Sequence, residues 1–297
     1  MNQTLTHYSR GLYSTWTILH PYNLMIDAGE GFCSYLRNRM YGINTIYLSH
    51  EHMDHMAGLV SLFGLRAKGA GDRTKPLKIL SRSPAALDLA KNIYELVTGT
   101  RTPVFDVTFE HIGLGQRVQL NAQTFMEPVT TVHCKDSTGL LIYMESKKLK
   151  VPYLKNELFM KDITSGKRAV TEKHLEKAYT PLFLNVLDNA GIDFTHSRFV
   201  PKGVRFMIED LTFPEGHDSE FIKHNDLEGV AKNLKLLEPK HVLLSHVSSR
   251  YSHADHVNMS KSIASKLYDL GVPRNIIIEV FSPRNGLSHP YTHDIKL

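Results

Sequence analysis

The stretch "LSHEHMDHMAGL" (residues 48–59) gathers His50, His52, Asp54 and His55 into six positions directly after the apolar run "TIYLS". A turn leaving a buried strand is anchored by the scaffold at one end and open to substrate on the other side, which suits a site. His50 and His52 stand two apart, so in extended backbone their side chains point the same way. Asp54 and His55 follow as the chain turns toward a helix, and they reach a second point a few ångströms away. Four ligand-type side chains in this pattern suit two adjacent cations better than one cation or a merely polar helix start. Imidazole with carboxylate favours zinc, with manganese or iron as alternatives.

The rest of the chain sets the frame for that turn. With 297 residues, 42% of them hydrophobic, there is enough apolar material for a full core. No linker, repeat or low-complexity segment divides it, so one domain over 1–297 is expected. The longest apolar runs fall well short of the roughly 20 residues a bilayer span requires. No leader or lipidation motif is visible either, so the expectation is a soluble, cytoplasmic protein with no membrane partner. Cys33 and Cys134 are too few for a disulfide scaffold and lack the paired spacing of a thiolate zinc site. Both are expected to be reduced and packed. A net charge of +5 is compatible with a phosphorylated or polyanionic substrate without requiring one.

Short β-rich runs alternate with helical patterns. "YSTWTIL", "NLMID", "TIYLS" and "LKIL" read as strands, and "FCSYLRNRM" and "MAGLVSLFGLRAKG" as helices. "SPAALDLAKNIYELVTG" opens on a serine cap followed by proline and closes on glycine, the signature of a well-bounded helix. "TFMEPVTTVH" and "GLLIYME" are strands. The lysine-rich segment at about 147–180 interrupts this order and is expected to be a solvated loop with a short helix. "LFLNVL" and "VRFMIE" then read as strands, "DSEFIKHNDLEGVAKNLKLL" as helix-like, "HVLLS" as a strand, "VNMSKSIASKLYDL" as a helix and "NIIIEVF" as the final strand. Mixed strands and helices of this kind indicate a layered α/β protein.

Several motifs together carry a family resemblance. "HEHMDH" resembles the HxHxDH signature of the metallo-β-lactamase superfamily. "MIDAGEG" (25–31) resembles the strand and glycine turn that precedes it in ribonuclease Z, "LLSHVSSRY" (243–251) that family's late histidine motif, and "DLTF" (210–213) its EATF or ESTF motif. The resemblance runs discontinuously from about residue 24 to 251. It implies a metallo-β-lactamase fold, a four-layer αββα sandwich, holding two divalent metal ions, zinc first and manganese second.

Under that resemblance His50 and His52 bind one metal, and Asp54 and His55 the other. His133 in "TTVHC" matches the third ligand of the first metal, with Cys134 beside it as a soft alternative. His246 joins the second metal, and Asp188 in "LFLNVLDNAG" stands for the bridging aspartate, although it departs from the usual GDT on both sides. Asp54 would also orient the attacking water. His224 in "FIKHNDLEG" matches the histidine that protonates the leaving oxygen, and Asp210 the carboxylate behind it, one methylene shorter than the usual glutamate. His196, His217, His241, His289 and His293 have no supporting motif, and "SHADH" (252–256), with His253, Asp255 and His256, reads as a solvated cap.

The implied activity is a dinuclear phosphodiesterase cutting the 3′ trailer from precursor tRNA, in a homodimer. The alternative is hydrolysis of cyclic mononucleotides, as in ribonuclease Z-like enzymes, some from phages, that degrade cyclic-nucleotide signals. Two departures bear on the choice. "THYSRGLYSTWTIL" replaces the GTG-containing amino-terminal loop of many family members, and the 147–180 segment lies about where the family carries its tRNA-gripping arm but lacks its glycine-proline hallmark. A thioesterase or lactonase is disfavoured by "SHVSSRY". A metal-bearing but inert RNA-binding protein is disfavoured by the presence of both Asp54 and His224.

Overall fold

The computed structural model describes residues 3–69, 76–214, 223–248, 251–281 and 290–295. Its first sheet contains β1 (Gln3–Arg10), β2 (Ser14–Leu19), β3 (Leu24–Ile26), β4 (Thr45–Leu48), β5 (Leu77–Ser81) and β6 (Val107–His111), with β15 (Tyr291–Ile295) added beside β1. The second contains β7 (Val118–Gln119), β8 (Thr124–Thr131), β9 (Thr138–Leu149), β10 (Leu175–Val186), β11 (Ile192–Asp193), β12 (Phe206–Asp210), β13 (His241–Ser245) and β14 (Ile277–Val280). Both follow one plan. In the first, β15, β1, β2 and β3 pair antiparallel, and β3 to β6 parallel. In the second, β11, β8, β9 and β10 pair antiparallel, and β10, β12, β13 and β14 parallel. No sequence repeat announces this two-fold likeness.

Alternation along the second sheet explains its near-continuous apolar runs. Leu140, Ile142, Phe206, Ile208 and Leu243 face the first sheet and share its core, which α2 (Gly58–Lys68) and α3 (Pro84–Thr98) cover on the far side. Their neighbours Leu141, Tyr143, Met207, Val242 and Leu244 point the other way, under α6 (Leu227–Leu237) and α7 (His253–Asp269). A strand buried on both faces has no polar side to show. Four layers result, helix, sheet, sheet, helix, as expected for the αββα sandwich. Among the described residues no helix is long and apolar enough to cross a membrane.

Local signals place many boundaries. Ser83 caps α3 by accepting from the Ala86 amide at 3.2 Å, and Gly99 ends it at φ 72°. Elsewhere the structure corrects the sequence reading. "NIIIEVF" is not the last strand, because β15 pairs with β1, itself not anticipated. "FCSYLRNRM" forms only a five-residue α1 (Phe32–Leu36) followed by a 3-10 turn. Helix α6 starts at Leu227, capped by Asp226 accepting from Gly229 at 2.9 Å, so His224 lies ahead of the helix.

The lysine-rich segment differs most. β9 and β10 stay paired out to Leu149 and Leu175, and the ribbon carries α4 (Val151–Leu154) and α5 (Glu157–Thr164) at its end. A ladder is made of backbone groups, so lysines that look loop-like by composition can sit on a ribbon wetted on both faces. His217, His289 and residues 249–250 of the late motif fall outside the described residues, as do the side chains of His253 and His256.

Candidate metal centre

The site forms where the carboxyl ends of parallel strands from both sheets meet, the usual location for ligands in open α/β sheets. β4 delivers His50 and His52, after which Met53–His55 closes a 3-10 turn with the His55 amide bonded to the His52 carbonyl at 3.0 Å. The "DAG" turn after β3 is pressed against it. Ala28 N–H donates to the His55 carbonyl at 2.6 Å, and a Cβ on Gly29 would lie 2.3 Å from the Asp54 carbonyl oxygen and 2.4 Å from the Thr15 nitrogen. Only glycine permits that approach. β10 delivers Asp188 in a left-handed turn (φ 55°), β13 delivers His246 (φ 65°), and His133 follows β8.

These side chains converge on two points. His50, His52, His133 and Asp188 present ligand atoms all within 4.8 Å of one another, as do Asp54, His55, Asp188 and His246. Asp188 belongs to both groups. Its Oδ2 lies 3.6 Å from His50 Nε2, 3.1 Å from His55 Nε2 and 3.7 Å from His133 Nε2, while its Oδ1 lies 3.1 Å from His246 Nε2. Asp54 Oδ2 sits 3.7 Å from His55 Nε2 and 3.6 Å from His246 Nε2.

The far nitrogens of the rings are engaged. His50 Nδ1 meets Ser49 Oγ at 2.9 Å, His55 Nδ1 donates to Asp27 Oδ2 at 2.8 Å, His133 Nδ1 donates to the Lys223 carbonyl at 3.0 Å and His246 Nδ1 meets Thr212 Oγ1 at 3.1 Å. Partners of this kind fix ring orientation and leave Nε2 to a cation. His50 Nε2, His55 Nε2, His246 Nε2 and Asp188 Oδ1 are buried and make no hydrogen bond. Buried polar atoms left unpaired are costly, and a donor set of imidazoles and carboxylates with this convergence fits a pair of divalent cations.

The electrostatics show the same pairing. Burial works against the charge of Asp188, but His246 and His55 outweigh it and hold the carboxyl well below the usual range. In turn, against burial, Asp188 raises His246 to about 9, and Asp188 with Asp27 raises His55. Cation binding would displace those protons. Burial holds His50 and His133 below the ordinary imidazole value. Burial pushes the Cys134 thiol up to about 11, unlike a thiolate ligand.

Beside the two groups, His224 Nδ1 donates to Asp210 Oδ2 at 2.7 Å, and its ring stacks on that of His246 with centroids 5.3 Å apart. Burial opposes its charge, yet the Asp210 hydrogen bond and carboxylate raise its pKa above the ordinary value. Sequence reasoning assigned no role to Asp27, Ser49 or Thr212. Asp27 stands in the quoted "MIDAGEG", and an aspartate ending an apolar strand was the available signal. His241 is buried at the opposite end of β13, 4.6 Å from Phe206 and 4.7 Å from His293 between ring centroids, while His196 is exposed.

No family model matches the chain. Ribonuclease Z of Saccharolobus solfataricus is 26% identical over 262 residues, spanning 82% of this chain and 85% of the relative. The crystal structure of human tRNase Z, short form, superposes with a TM-score of 0.64 at 14% identity, over 99% of this chain and all of that one. The metallo-beta-lactamase fold protein YhfI from Bacillus subtilis gives 0.62 at 13% identity, over 98% and 99%. With the two-sheet sandwich, these likenesses show that the chain has a metallo-β-lactamase fold and that its sequence is similar to ribonuclease Z.

Proposed function

We propose that the chain is a phosphodiesterase whose two divalent cations, zinc by donor chemistry, are held by His50, His52, His133 and Asp188 and by Asp54, His55, Asp188 and His246, and which removes the 3′ trailer from precursor tRNA. The observation that carries this reading is the convergence of two His/Asp clusters on the one Asp188 carboxylate that they share, with an acid–base couple alongside. Similarity to ribonuclease Z supports RNA as the substrate. Bound there, two cations supply a water made nucleophilic near neutral pH and neutralise charge on the phosphate.

The remaining steps belong to the chain. Asp54, whose charge burial opposes, is kept ionised chiefly by His55, so its carboxylate can accept from and orient the attacking water. As the new P–O bond forms and the bond to the 3′ oxygen breaks, that oxygen needs a proton. His224 is placed to supply it from Nε2, because Nδ1 is committed to Asp210.

One observation favours cyclic mononucleotides as a second reading. Several cations of the ribbon arm are already paired, Lys147 with Glu172, Lys148 with Glu176, Arg168 with Asp162 and Lys177 with Glu145, which weakens its grip on a long RNA. Turnover of precursor tRNA, 2′,3′- and 3′,5′-cyclic nucleotides and bis-p-nitrophenyl phosphate by one zinc-loaded preparation decides between them. Precursor-tRNA cleavage at the trailer junction is expected; its absence beside rapid cyclic-nucleotide turnover would establish the second reading, and no turnover of any would sink both.

A further inference from the structure

Beneath the metal centre lies a polar assembly that none of these steps uses. Glu209, next to Asp210 on β12, is fully buried. Its Oε1 accepts from three side-chain amides, Asn225 Nδ2 at 2.6 Å, Asn189 Nδ2 at 3.1 Å and Asn233 Nδ2 at 3.2 Å, while Oε2 makes no hydrogen bond. The three asparagines come from three segments. Asn189 follows Asp188 in the left-handed turn that presents the shared carboxylate, Asn225 follows His224, and Asn233 lies within α6. Asn225 Nδ2 also donates to Asn189 Oδ1 at 2.9 Å, Asn189 Nδ2 to the Val186 carbonyl, and the Asn189 amide to Asp210 Oδ2 at 3.1 Å.

A carboxyl buried among amides is a costly way to fill space that a leucine could fill. Its physical advantage is directional, because a connected polar network admits one arrangement of the segments it joins. We propose that Glu209 is a positioning residue that locks the Asp188 turn and the His224 segment into one unit, so that the shared carboxylate and the proton donor address the same phosphate. This rests on His224 acting as the proton donor. Burial pushes the Glu209 carboxyl up to about 8, so near neutrality it is largely uncharged, and a glutamine would preserve both that state and the Oε1 acceptor.

The test uses zinc-loaded protein and two readouts, the rate of zinc loss to a chelator and turnover of diesters with p-nitrophenolate or alkoxide leaving groups. Glu209→Ala should release zinc several-fold faster and lose roughly ten- to a hundred-fold in kcat with the alkoxide substrate, part of what removing a general acid costs. It should lose far less with p-nitrophenolate and keep its KM, and Glu209→Gln should restore both readouts. Asn233→Ala, which touches neither site segment, should shift both in the same direction more weakly, and it carries the test if Glu209→Ala does not fold. Unchanged zinc retention with equal loss on both substrates, or a glutamine as damaging as the alanine, would overturn the proposal. His224→Ala run alongside separates the two ideas. Were it to show no leaving-group selectivity, the proton-donor reading would fall, and zinc retention would then decide for or against Glu209.

Discussion

Under the proposed mechanism, His224 is the residue at which chemistry separates from metal binding. It stacks on His246 and lies outside the two ligand sets assigned to the cations, although its ring converges with Asp188, Asp210 and His246 in a third cluster, and its Nδ1 is held by Asp210. His224→Ala should therefore keep both metals by elemental analysis while slowing an alkoxide-leaving diester by roughly a hundred- to ten-thousand-fold. With p-nitrophenolate, which departs unprotonated near neutral pH, the loss should be much smaller. The pH profile has a definite sign. The donor must be protonated, and Asp210 raises its pKa, so activity should fall as pH rises through that raised value. Asp210→Asn removes the negative charge, and its alkaline limb should move to lower pH. A variant that sheds metal, or an Asp210→Asn profile with an unmoved limb, would remove His224 from the mechanism.

Among the described elements, the ribbon of β9 and β10 is where the proposed function puts discrimination of substrates by size. Its exposed ion pairs add little stability. Order comes instead from the backbone ladder and from a small cluster at the tip, where the Tyr153, Phe159 and His174 rings lie 4.8 to 5.0 Å apart. Nine lysines and arginines against four acids between residues 147 and 177 leave a cationic excess there even after pairing. Replacing residues 149–175 by a tight turn should cripple precursor-tRNA cleavage, flatten its salt dependence and spare small diesters, since distant phosphate interactions help only a substrate long enough to make them. Equal losses on tRNA and on bis-p-nitrophenyl phosphate would mean that the ribbon serves the fold and not the substrate.

At the scale of the whole molecule, the two sheets are joined behind the site by His7. It lies on β1, and its ring bridges Thr17 Oγ1 and Ser245 Oγ, both at 2.8 Å, with Phe281 packed edge-on at 5.5 Å. Burial, aided by the His246 charge, pushes its pKa down to about 3, against roughly 6.5 for an unfolded imidazole. The unfolded chain thus takes up a proton that the folded one refuses. This contribution to stability is present above about pH 6.5 and is lost progressively as pH falls toward 3. His7→Gln, which keeps donor and acceptor atoms but cannot titrate, should flatten that part of the dependence of the denaturation midpoint on pH. An unchanged acid slope would show that His7 does not set it.

What the sequence determined alone is what its neighbours along the chain determine. The spacing of His50, His52, Asp54 and His55 within one turn, the Ser83 and Gly99 bounds of α3 and the apolar runs of the parallel strands are local patterns, and local patterns are legible in one dimension. The motifs at Asp210 and His246 could be matched one at a time, and Asp188 could be picked out after its strand despite its altered flanks. Tertiary structure alone decided which atoms meet. Asp27 reaches His55 across 28 positions and His7 reaches Ser245 across 238. The Glu209 hub draws its asparagines from three segments, and the last strand finds its partner at the opposite end of the chain. None of these leaves a periodicity, because a hydrogen bond between distant segments constrains two positions and nothing between them. The ribbon was misread for a related reason. Side-chain composition signals loops through solvation, whereas a ladder is held by backbone groups that every residue except proline carries alike.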